Sequence, residues 1–572
     1  MQTNFRNFWF LFLAATAGAA SINVFAAARV AAQDIPSQAE SESAESDLIG
    51  SYSTDASDLL VEETKLFGFT PVDVLAAEPT SAFGLKQEDT PVEVPTGSGE
   101  TISDIEVVYL NSSGQATDGS TRPYVIIREF DLVPGDVYDP ELASEGLQRV
   151  IDLSSVTNAT LSLEPADAPG EVTMVVSVQE GVAGLSIGRH FTIFPGTRAA
   201  NPAALQGITR PSYVRSQPPR MTGFRIPLSL QYFNIGGNDQ TLTFSAEGGS
   251  NALGFDLTFR DPWIGESDSR VGYAVNLFAT NNESPTFKNG PNDVELPNGD
   301  EPVVFRAGGG IEFRAPLAED FEGAIGLTYQ VVSIHDSFFG ADIFSADENG
   351  NRLTFDGDGT DTLLTLNIAT EMDRRNSTLF PTSGTRLMLG LDQAIPVGDA
   401  DIFFTRIGAN ATQFVPINFI RVPDTPGTLI FNVQAGTTPL DSPPPYEAFV
   451  LGGSSTVRGY GAGELGAPRN YVQGTVEYRF PFATLALGDG FFGDTIGERV
   501  TFAGNVFFDA ATGFDTDELV AGQPGDARGK PGEGIGYGLG LLAATDFGLA
   551  RLEFGISGGG DSRLIFTIGD RF

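Results

Sequence analysis

The sequence has no cysteine, two histidines and two tryptophans in 572 residues. Without cysteine the chain can form neither disulfides nor thiolate metal sites. His190 and His335 alone offer little for zinc binding or for histidine-based proton transfer. Basic residues are also scarce, because 33 Lys and Arg stand against 74 Asp and Glu and leave a net charge of −41. So acidic a chain repels phosphate backbones, and we expect no nucleic-acid partner.

The chain is instead rich in phenylalanine, tyrosine and glycine, with 44, 13 and 68 residues. This mixture favours many short strands and turns over helices. At the N-terminus, Arg6 lies in a short polar start, and an apolar run from Phe8 to about Ala20 is followed by small residues. This pattern predicts a secretory signal peptide over residues 1–32. The alternative is an inner-membrane anchor, but the run is shorter than the ~18 apolar residues that a spanning helix needs.

Two segments of different character follow. Residues 33–100 are rich in Ser, Glu, Asp, Pro and Thr, and we expect a disordered acidic linker because they cannot bury enough apolar surface to fold. Residues 101–181 predict a small β-α-α-β-β module, since alternating runs lie on both sides of a helical pattern. Asp139 and Pro140 favour a helix start, with an N-cap before proline at the first helical position.

Residues 182–572 carry alternating runs without a convincing helix pattern. In LGFDLTFR, for example, Phe255 and Leu257 share an apolar face while Asp256 and Thr258 share a polar one. A soluble β-sandwich also alternates, so the alternation alone does not decide the fold class. The export signal, strands of about ten residues and abundant Phe near strand ends favour a transmembrane antiparallel β-barrel of about 16 strands, which makes the fold mainly β.

The last strand of this predicted barrel is better defined by the sequence than the first. The last strand, SRLIFTIGDRF, is expected to place Leu564, Phe566, Ile568 and Phe572 on one lipid-facing side, and we interpret Phe566, Ile568 and Phe572 as a C-terminal strand signal. The first strand is the least defined, because the long stretch from Arg189 to Arg220 separates it from the next.

Four short motifs suggest sites that their surroundings disfavour. GAGELG at 461–466 has dinucleotide-binding spacing but no βαβ unit around it. GISGG at 555–559 resembles a hydrolase turn but has no histidine later in the chain. RGKPG at Lys530 lacks the hydroxyl residue of a phosphate-binding loop. DENGNRLTFDGDGTD at 347–361 is carboxylate-rich but does not match the EF-hand pattern, and we interpret it as a polar extracellular loop.

The stretch LGGSSTVRGYGAGELG raises a different question, because it places one arginine among glycines and small hydroxyl residues. A guanidinium cannot be neutralised, so a buried arginine requires a carboxylate partner to offset its desolvation. Two carboxylates on the strands just beyond, Glu477 and Asp509, are candidate partners of Arg458. The predicted reentrant-loop motif is Val457, Arg458, Gly459 and Tyr460.

These residues resemble a known family. YEAFVLGGSSTVRGYGAGELG, VEYRFPF, VFFDAATGF and a terminal strand ending in DRF are similar, in this order, to the BamA/TamA superfamily of outer-membrane assembly and translocation proteins. The resemblance covers roughly residues 101–572. RPYVIIREFDL, NIGGNDQTL and DPWIGES resemble the cyanobacterial branch related to the chloroplast Toc channel. The chain departs from that branch in one respect, since only one POTRA module is recognisable where relatives typically carry three.

The resemblance implies a POTRA-like module in the periplasm at 101–181 and an outer-membrane β-barrel at 182–572. It implies that the sixth extracellular loop returns the VRG motif to the lumen, and it favours Asp509 as the partner of Arg458. The implied function is an assembly or translocation factor that helps to insert or translocate β-barrel clients. Its partners are unfolded outer-membrane proteins, the lipid bilayer and accessory assembly proteins. We expect no enzyme activity, catalytic residue, metal or cofactor.

Two alternatives come from transport. A two-partner-type secretion pore that exports a specific protein shares the VRGY motif and the plan of a POTRA module and a barrel, but it usually brings a second POTRA module and a plug helix. A passive porin is disfavoured by the VRGY loop and by the POTRA-like module.

Overall fold

The computed structural model describes residues 93–572 with gaps at 112, 154, 181–184, 188–193, 196–223, 250–251, 266–269, 319, 378–379, 399–400, 418–425, 442, 487–498, 515–528, 546–547 and 570. The described residues fall within one compact unit. The predicted signal peptide, residues 33–92 of the predicted linker and most of the stretch between Arg189 and Arg220 lie outside them. Within the described part of the chain, no helix is long and apolar enough to cross a membrane.

Residues 101–180 form a small α+β module in the predicted element order. Its parts are β1 (Thr101–Leu110), α1 (Pro123–Ile127), α2 (Pro140–Ile151), β2 (Val156–Pro165) and β3 (Glu171–Glu180). The strand order is β1-β3-β2, in which β3 is parallel to β1 and antiparallel to β2. The apolar faces of both helices and of the sheet meet in one core.

The second helix of the module begins where the sequence predicts. Asp139 Oδ1 accepts hydrogen bonds from the backbone N–H of Glu141 at 2.9 Å and of Leu142 at 3.4 Å. Pro140 follows as the first helical residue, where its missing N–H costs no helix hydrogen bond. Leu147, about two turns further on, is fully buried in the core. The cap and the apolar spacing therefore orient this helix on the sheet.

The rest of the described chain forms a closed antiparallel barrel. Its strands are β4 (Leu185–Ile187), β5 (Phe194–Pro195), β6 (Phe224–Ile235), β7 (Gln240–Gly249), β8 (Ala252–Asp261), β9 (Gly272–Glu283), β10 (Val303–Ala318), β11 (Phe321–His335), β12 (Thr360–Asp373), β13 (Gly384–Ile395), β14 (Thr405–Pro416), β15 (Thr428–Leu440), β16 (Asn470–Ala486), β17 (Arg499–Phe514), β18 (Glu533–Thr545), β19 (Gly548–Ser557) and β20 (Ser562–Ile568).

The first position of the barrel is shared by two short segments. Leu185 of β4 pairs with Tyr232, and Phe194 of β5 pairs with Arg225, both on β6. Together β4 and β5 therefore fill one position, and the strands β6 to β20 fill the other fifteen. The described strands thus occupy sixteen positions around the barrel, in agreement with the predicted number of about 16 strands. Closure places β20 next to β4, and we call this junction the seam.

The outer face of the barrel is apolar and the interior is polar. Phe255 is 49% exposed and Leu257 is 40% exposed, whereas Thr258 on the same strand is buried at 6%. Leu277 and Leu539, at 61% each, show the same outward placement on other strands. A soluble sandwich would bury these apolar faces and expose the polar ones. The inverse arrangement is that of a membrane barrel with a polar lumen, which confirms the predicted fold class.

The module contacts two barrel connections at one end. Arg122 N donates to Gly237 O at 2.9 Å in the β6–β7 turn, and Arg128 Nη1 donates to Trp263 O at 3.0 Å in the β8–β9 connection. The Arg128 guanidinium also lies 4.9 Å from the centroid of the Trp263 ring, within the range of a cation–π contact. Since strands alternate in direction, the β15–β16 loop leaves the barrel at the opposite end.

A carboxyl group is buried at this joint. Glu129, which follows Arg128, is 8% exposed, and burial raises the pKa of its carboxyl group to about 7. Burial outweighs the opposite effect of nearby cations, the first of which is the guanidinium of Arg128, 4.0 Å away. The other charged groups that act on it are Arg149, Arg270 and Asp239.

Candidate functional site: a buried charge cluster around the reentrant loop

The loop between β15 and β16, residues 441–469, folds back into the lumen. Its two arms are joined by a backbone hydrogen bond from Leu451 N to Gly466 O at 2.9 Å. Leu451, Val457 and Leu465 are fully buried and pack with Tyr471 of the barrel wall. This apolar contact seats the loop, and the arginine at its tip then meets the polar interior.

Arg458 lies at the tip, is fully buried, and contacts both carboxylates that the sequence suggests. Its Nε and Nη2 donate to the two oxygens of Asp509 at 2.8 and 2.9 Å, and its backbone N donates to Asp509 Oδ2 at 3.0 Å. Its Nη1 donates to Glu477 Oε2 at 2.6 Å. Asp509 therefore receives the paired fork of the guanidinium, and Glu477 receives one further donor.

A third carboxylate, which sequence reasoning missed, completes the coordination of Arg458. Glu553 on β19 accepts from Arg458 Nη1 at 2.6 Å and from Asn505 Nδ2 at 2.8 Å. The signal was present in the run LARLEFGIS, where Arg551 and Glu553 share the polar face of an alternating strand. A pair of charges two residues apart on a barrel strand must face the lumen together.

Three more arginines surround these carboxylates. Arg479 Nε donates to Glu477 Oε1 at 2.8 Å, and Arg551 Nη2 donates to Glu553 Oε1 at 2.8 Å. Arg571 Nη1 donates to Asp509 Oδ2 at 3.1 Å. We call these groups the charge cluster; its members are Arg458, Arg479, Arg551, Arg571, Glu477, Asp509 and Glu553. Each carboxylate thus contacts Arg458 and at least one other guanidinium, which offsets its burial.

The wall opposite the loop is cleared of side chains. On β18 every lumen-facing position from 534 to 540 is glycine, in the run GIGYGLG. A Cβ atom at Gly536 would lie 1.9 Å from Arg458 O, and one at Gly534 would lie 2.6 Å from Leu465 Cδ2. On the loop itself, Gly459 has a φ of +99° and its Cβ would lie 2.6 Å from Ser557 N. The loop therefore fits only because these positions lack a side chain.

The structure departs from the expectation for Phe572. Leu564 points outward at 67% exposure and Phe566 is half-buried, but Phe572 is buried at 3% and packs with Phe414 and Ile430 inside the barrel. The strand ends at Ile568, where Gly569 with a φ of +108° turns the chain. Arg386 Nη1 then donates to Phe572 O at 3.0 Å.

The alternation of apolar and polar residues along the last strand therefore ends before Phe572. Phe566 and Ile568 belong to β20, whereas Phe572 lies in the lumen. Arg571 contacts Asp509 in the charge cluster, so the chain beyond the turn is drawn inward by an ion pair as well as by apolar packing.

The disfavoured motifs also have defined places. GAGELG is part of the reentrant loop, and Lys530 Nζ donates to the carbonyl oxygens of Pro285, Thr286 and Lys288 at 3.3, 3.2 and 2.7 Å. In the carboxylate-rich stretch, Asp347 Oδ1 accepts from the backbone N–H of Asn351 at 2.8 Å. The contacts of Lys530 link two loops at the end of the barrel opposite the module, whereas the Asp347 contact lies within one loop.

The geometry can be compared with known proteins. A model of the Omp85 superfamily domain matches residues 234–572, more than half of the chain and all of the loop and cluster. The chain belongs to the Omp85 superfamily. Outer envelope protein 80 from the chloroplast of Arabidopsis thaliana is 27% identical over 82% of this chain and 57% of its own length. Protein TOC75 from Pisum sativum is 25% identical over 82% of this chain and 56% of its own length.

A solved structure shows the same fold. BamA from Haemophilus ducreyi lacking POTRA domains 1–3 superimposes with a TM-score of 0.53 at 13% identity and covers 82% of this chain and 84% of its own. The predicted resemblance to the assembly family and to the branch that includes the Toc channel is therefore confirmed. This Omp85 chain spans between half and two thirds of the length of the curated relatives it matches.

Proposed function

We propose that this Omp85 protein is an outer-membrane assembly and translocation factor that helps to insert or translocate β-barrel client proteins. Its module at 101–181 lies in the periplasm and its barrel at 182–572 lies in the outer membrane. The work requires no broken covalent bond and no cofactor. Its partners are unfolded outer-membrane proteins, accessory assembly proteins and the bilayer that the apolar outer face contacts.

The observation that carries the proposal is the seam. One side of the seam is formed by β20, which has 7 residues, whereas β16 has 17. A short strand offers few backbone hydrogen bonds, so the seam is the place where the barrel opens most easily. An opened seam exposes unpaired N–H and C=O groups to which an incoming client strand can pair by β-augmentation.

The module offers a second strand edge. In the order β1-β3-β2 both outer strands are edges, but β1 is partly covered, because Gly135 N donates to Ile102 O at 2.7 Å and Thr117 N donates to Tyr109 O at 2.9 Å. Among the described residues, no strand pairs with the outer side of β2. Extended clients therefore bind along Val156–Pro165, next to the end of the barrel that the module contacts.

A sealed seam tests the proposal. Because the natural chain has no cysteine, a cysteine at Leu564 can be combined with a second cysteine scanned along Leu185–Ile187 until a disulfide forms. The matched control is the pair Val506→Cys and Leu539→Cys, which joins directly opposed residues of β17 and β18 away from the seam.

The measured quantity is the rate at which an unfolded barrel client folds into vesicles that contain the purified protein. We expect the sealed seam to abolish acceleration and reduction to restore it, while the control disulfide has no effect. Equal acceleration by the sealed and reduced proteins would refute insertion through the seam.

Depletion in cells separates this function from secretion. Broad loss of outer-membrane barrels from the proteome supports assembly, whereas loss of one exported protein supports a two-partner-type secretion pore.

A further inference from the structure

The reentrant loop makes a second set of buried polar contacts near its start. A single 3₁₀ turn, Pro445–Glu447, brings Glu447 into the lumen, where the residue is 2% exposed. Glu447 Oε1 accepts from Arg306 Nη1 at 2.5 Å, and its Oε2 accepts from Arg406 Nη1 at 3.2 Å. Arg406 Nη1 also donates to the Glu447 backbone oxygen at 2.8 Å.

The surroundings of Glu447 balance its charge. Arg406 makes a second pair with Asp392 on β13, with Nη2 2.6 Å from Oδ2. Arg306 Nη2 donates to Tyr446 O at 2.9 Å. Two guanidinium groups therefore face two carboxylates, and none of the four belongs to the charge cluster around Arg458. A buried ion pair whose hydrogen bonds are satisfied in this way fixes the position of the segment that carries it.

The two sets of contacts lie on different parts of the barrel wall. Arg306, Asp392 and Arg406 come from β10, β13 and β14, and the Tyr446 hydroxyl donates to Asp361 of β12 at 2.5 Å. The charge cluster around Arg458 lies on β16, β17 and β19. The segment from Tyr446 to Arg458 therefore crosses the lumen between these walls, and we call it the strap. Inside it, Val450 is buried at 4%.

We infer that Glu447 is a second anchor of the reentrant loop, so that the strap closes the lumen only while both Glu447 and Arg458 are bound to their walls. Since the two anchors share no residue, each can be released while the other holds. Release of Glu447 frees the start of the strap and opens the part of the lumen lined by β10 to β14. This inference concerns closure of the lumen and holds whichever client the protein handles.

Glu447→Gln tests the anchor, because it removes the charge and keeps the volume of the side chain. Arg306 then loses its carboxylate partner, while Arg406 keeps Asp392. The probe is a single cysteine at Val450, introduced into the chain without cysteine and exposed to a water-soluble maleimide in detergent micelles. We expect the labelling rate to rise about tenfold, the change that loss of an anchor worth about 1.4 kcal/mol produces. Ion conductance in planar bilayers is expected to rise in parallel.

Glu464→Gln is the matched control, because Glu464 lies on the same loop but pairs with a partly exposed partner, Arg563, at 3.1 Å. It should label at the rate of the parent protein. If Glu447→Gln labels and conducts like the parent while it remains folded, Glu447 is not an anchor. If Glu447→Gln does not fold, Arg306→Gln replaces it, since this change removes one of the two guanidinium groups that bind Glu447 and leaves Arg406 in place. A folded Arg306→Gln protein with unchanged labelling would equally overturn the inference.

Discussion

Replacing Arg458 by alanine removes the cation that all three carboxylates of the charge cluster share. Breaking a buried ion pair by deleting one partner costs about 3–5 kcal/mol. Here each carboxylate keeps another cation, since Asp509 retains Arg571 at 3.1 Å and Glu477 retains Arg479 at 2.8 Å. We therefore expect the lower end, about 3 kcal/mol of lost folding free energy.

The assay is urea unfolding in detergent micelles, together with the shift between heated and unheated protein in gels. Arg458→Lys should recover only part of the loss, because an ammonium cannot donate in parallel to both oxygens of Asp509 as the guanidinium does. The backbone hydrogen bond from residue 458 N to Asp509 is kept in both variants. It therefore holds the lysine side chain close to Asp509 in the Arg458→Lys variant.

Double-mutant cycles resolve the partners. The sequence suggests one true partner, but the structure places Arg458 against three carboxylates, so coupling is expected with each. Asp509→Asn should couple most strongly, by about 2–3 kcal/mol, because Asp509 accepts two of the four side-chain hydrogen bonds of Arg458, whereas Glu477 and Glu553 accept one each. Glu477→Gln and Glu553→Gln should couple by about 1 kcal/mol each. Additivity in all three cycles, with unchanged gel mobility in Arg458→Ala, would show that the loop is an exposed turn.

The remaining predictions concern other parts of the chain. Gly536→Ala should unseat the loop, because its Cβ would meet Arg458 O, whereas Gly248→Ala has open space and should leave heat-modifiability unchanged. The isolated module 101–181 should unfold cooperatively as a soluble monomer by circular dichroism. Burial raises the pKa of Glu129 to about 7. The contribution of Glu129 to the free energy of unfolding is therefore fully present below its unfolded pKa and is lost as the pH rises through 7. Urea unfolding should show that the free energy of unfolding falls by about 3 kcal/mol over this pH range, and Glu129→Gln should abolish the fall.

The sequence predicts the barrel well because its signal is local. Alternation within a strand reveals two faces, and in a membrane barrel that pattern maps directly onto lipid and lumen. Phe255 and Leu257 are outside for this reason. The same reasoning failed at Phe572, because a pattern with a period of two cannot register the turn at Gly569. The pairing of the first strand was not predictable either, since β4 and β5 are defined by their hydrogen bonds to β6 rather than by their own residues.

The charge cluster was predictable only in part, because its contacts join distant segments. Arg458 could be singled out, since a lone arginine among glycines needs a partner wherever it is buried. Glu477 and Asp509 could be proposed because they lie on polar faces of nearby strands. In the sequence, the polar face that carries Glu553 does not differ from the polar faces of other strands. Glu447 is a single acidic residue before an apolar run, and nothing in the sequence distinguishes it from an exposed loop residue. Only the closed barrel brings these residues within hydrogen-bond distance of the loop.

The use of ions rather than apolar packing at the loop tip has a physical consequence. Well-packed apolar residues would often stabilise a closed lumen as well as an ion cluster does or better, so the cluster is better suited to fixing position than to adding stability. Its ions can also be rehydrated when the loop leaves. Asp509 contacts both Arg458 from the loop and Arg571 from beyond β20. Moving Arg571 away removes one of the two cations that offset this carboxylate. Any displacement of the β20 end of the seam must therefore change the free energy that holds the loop in the lumen.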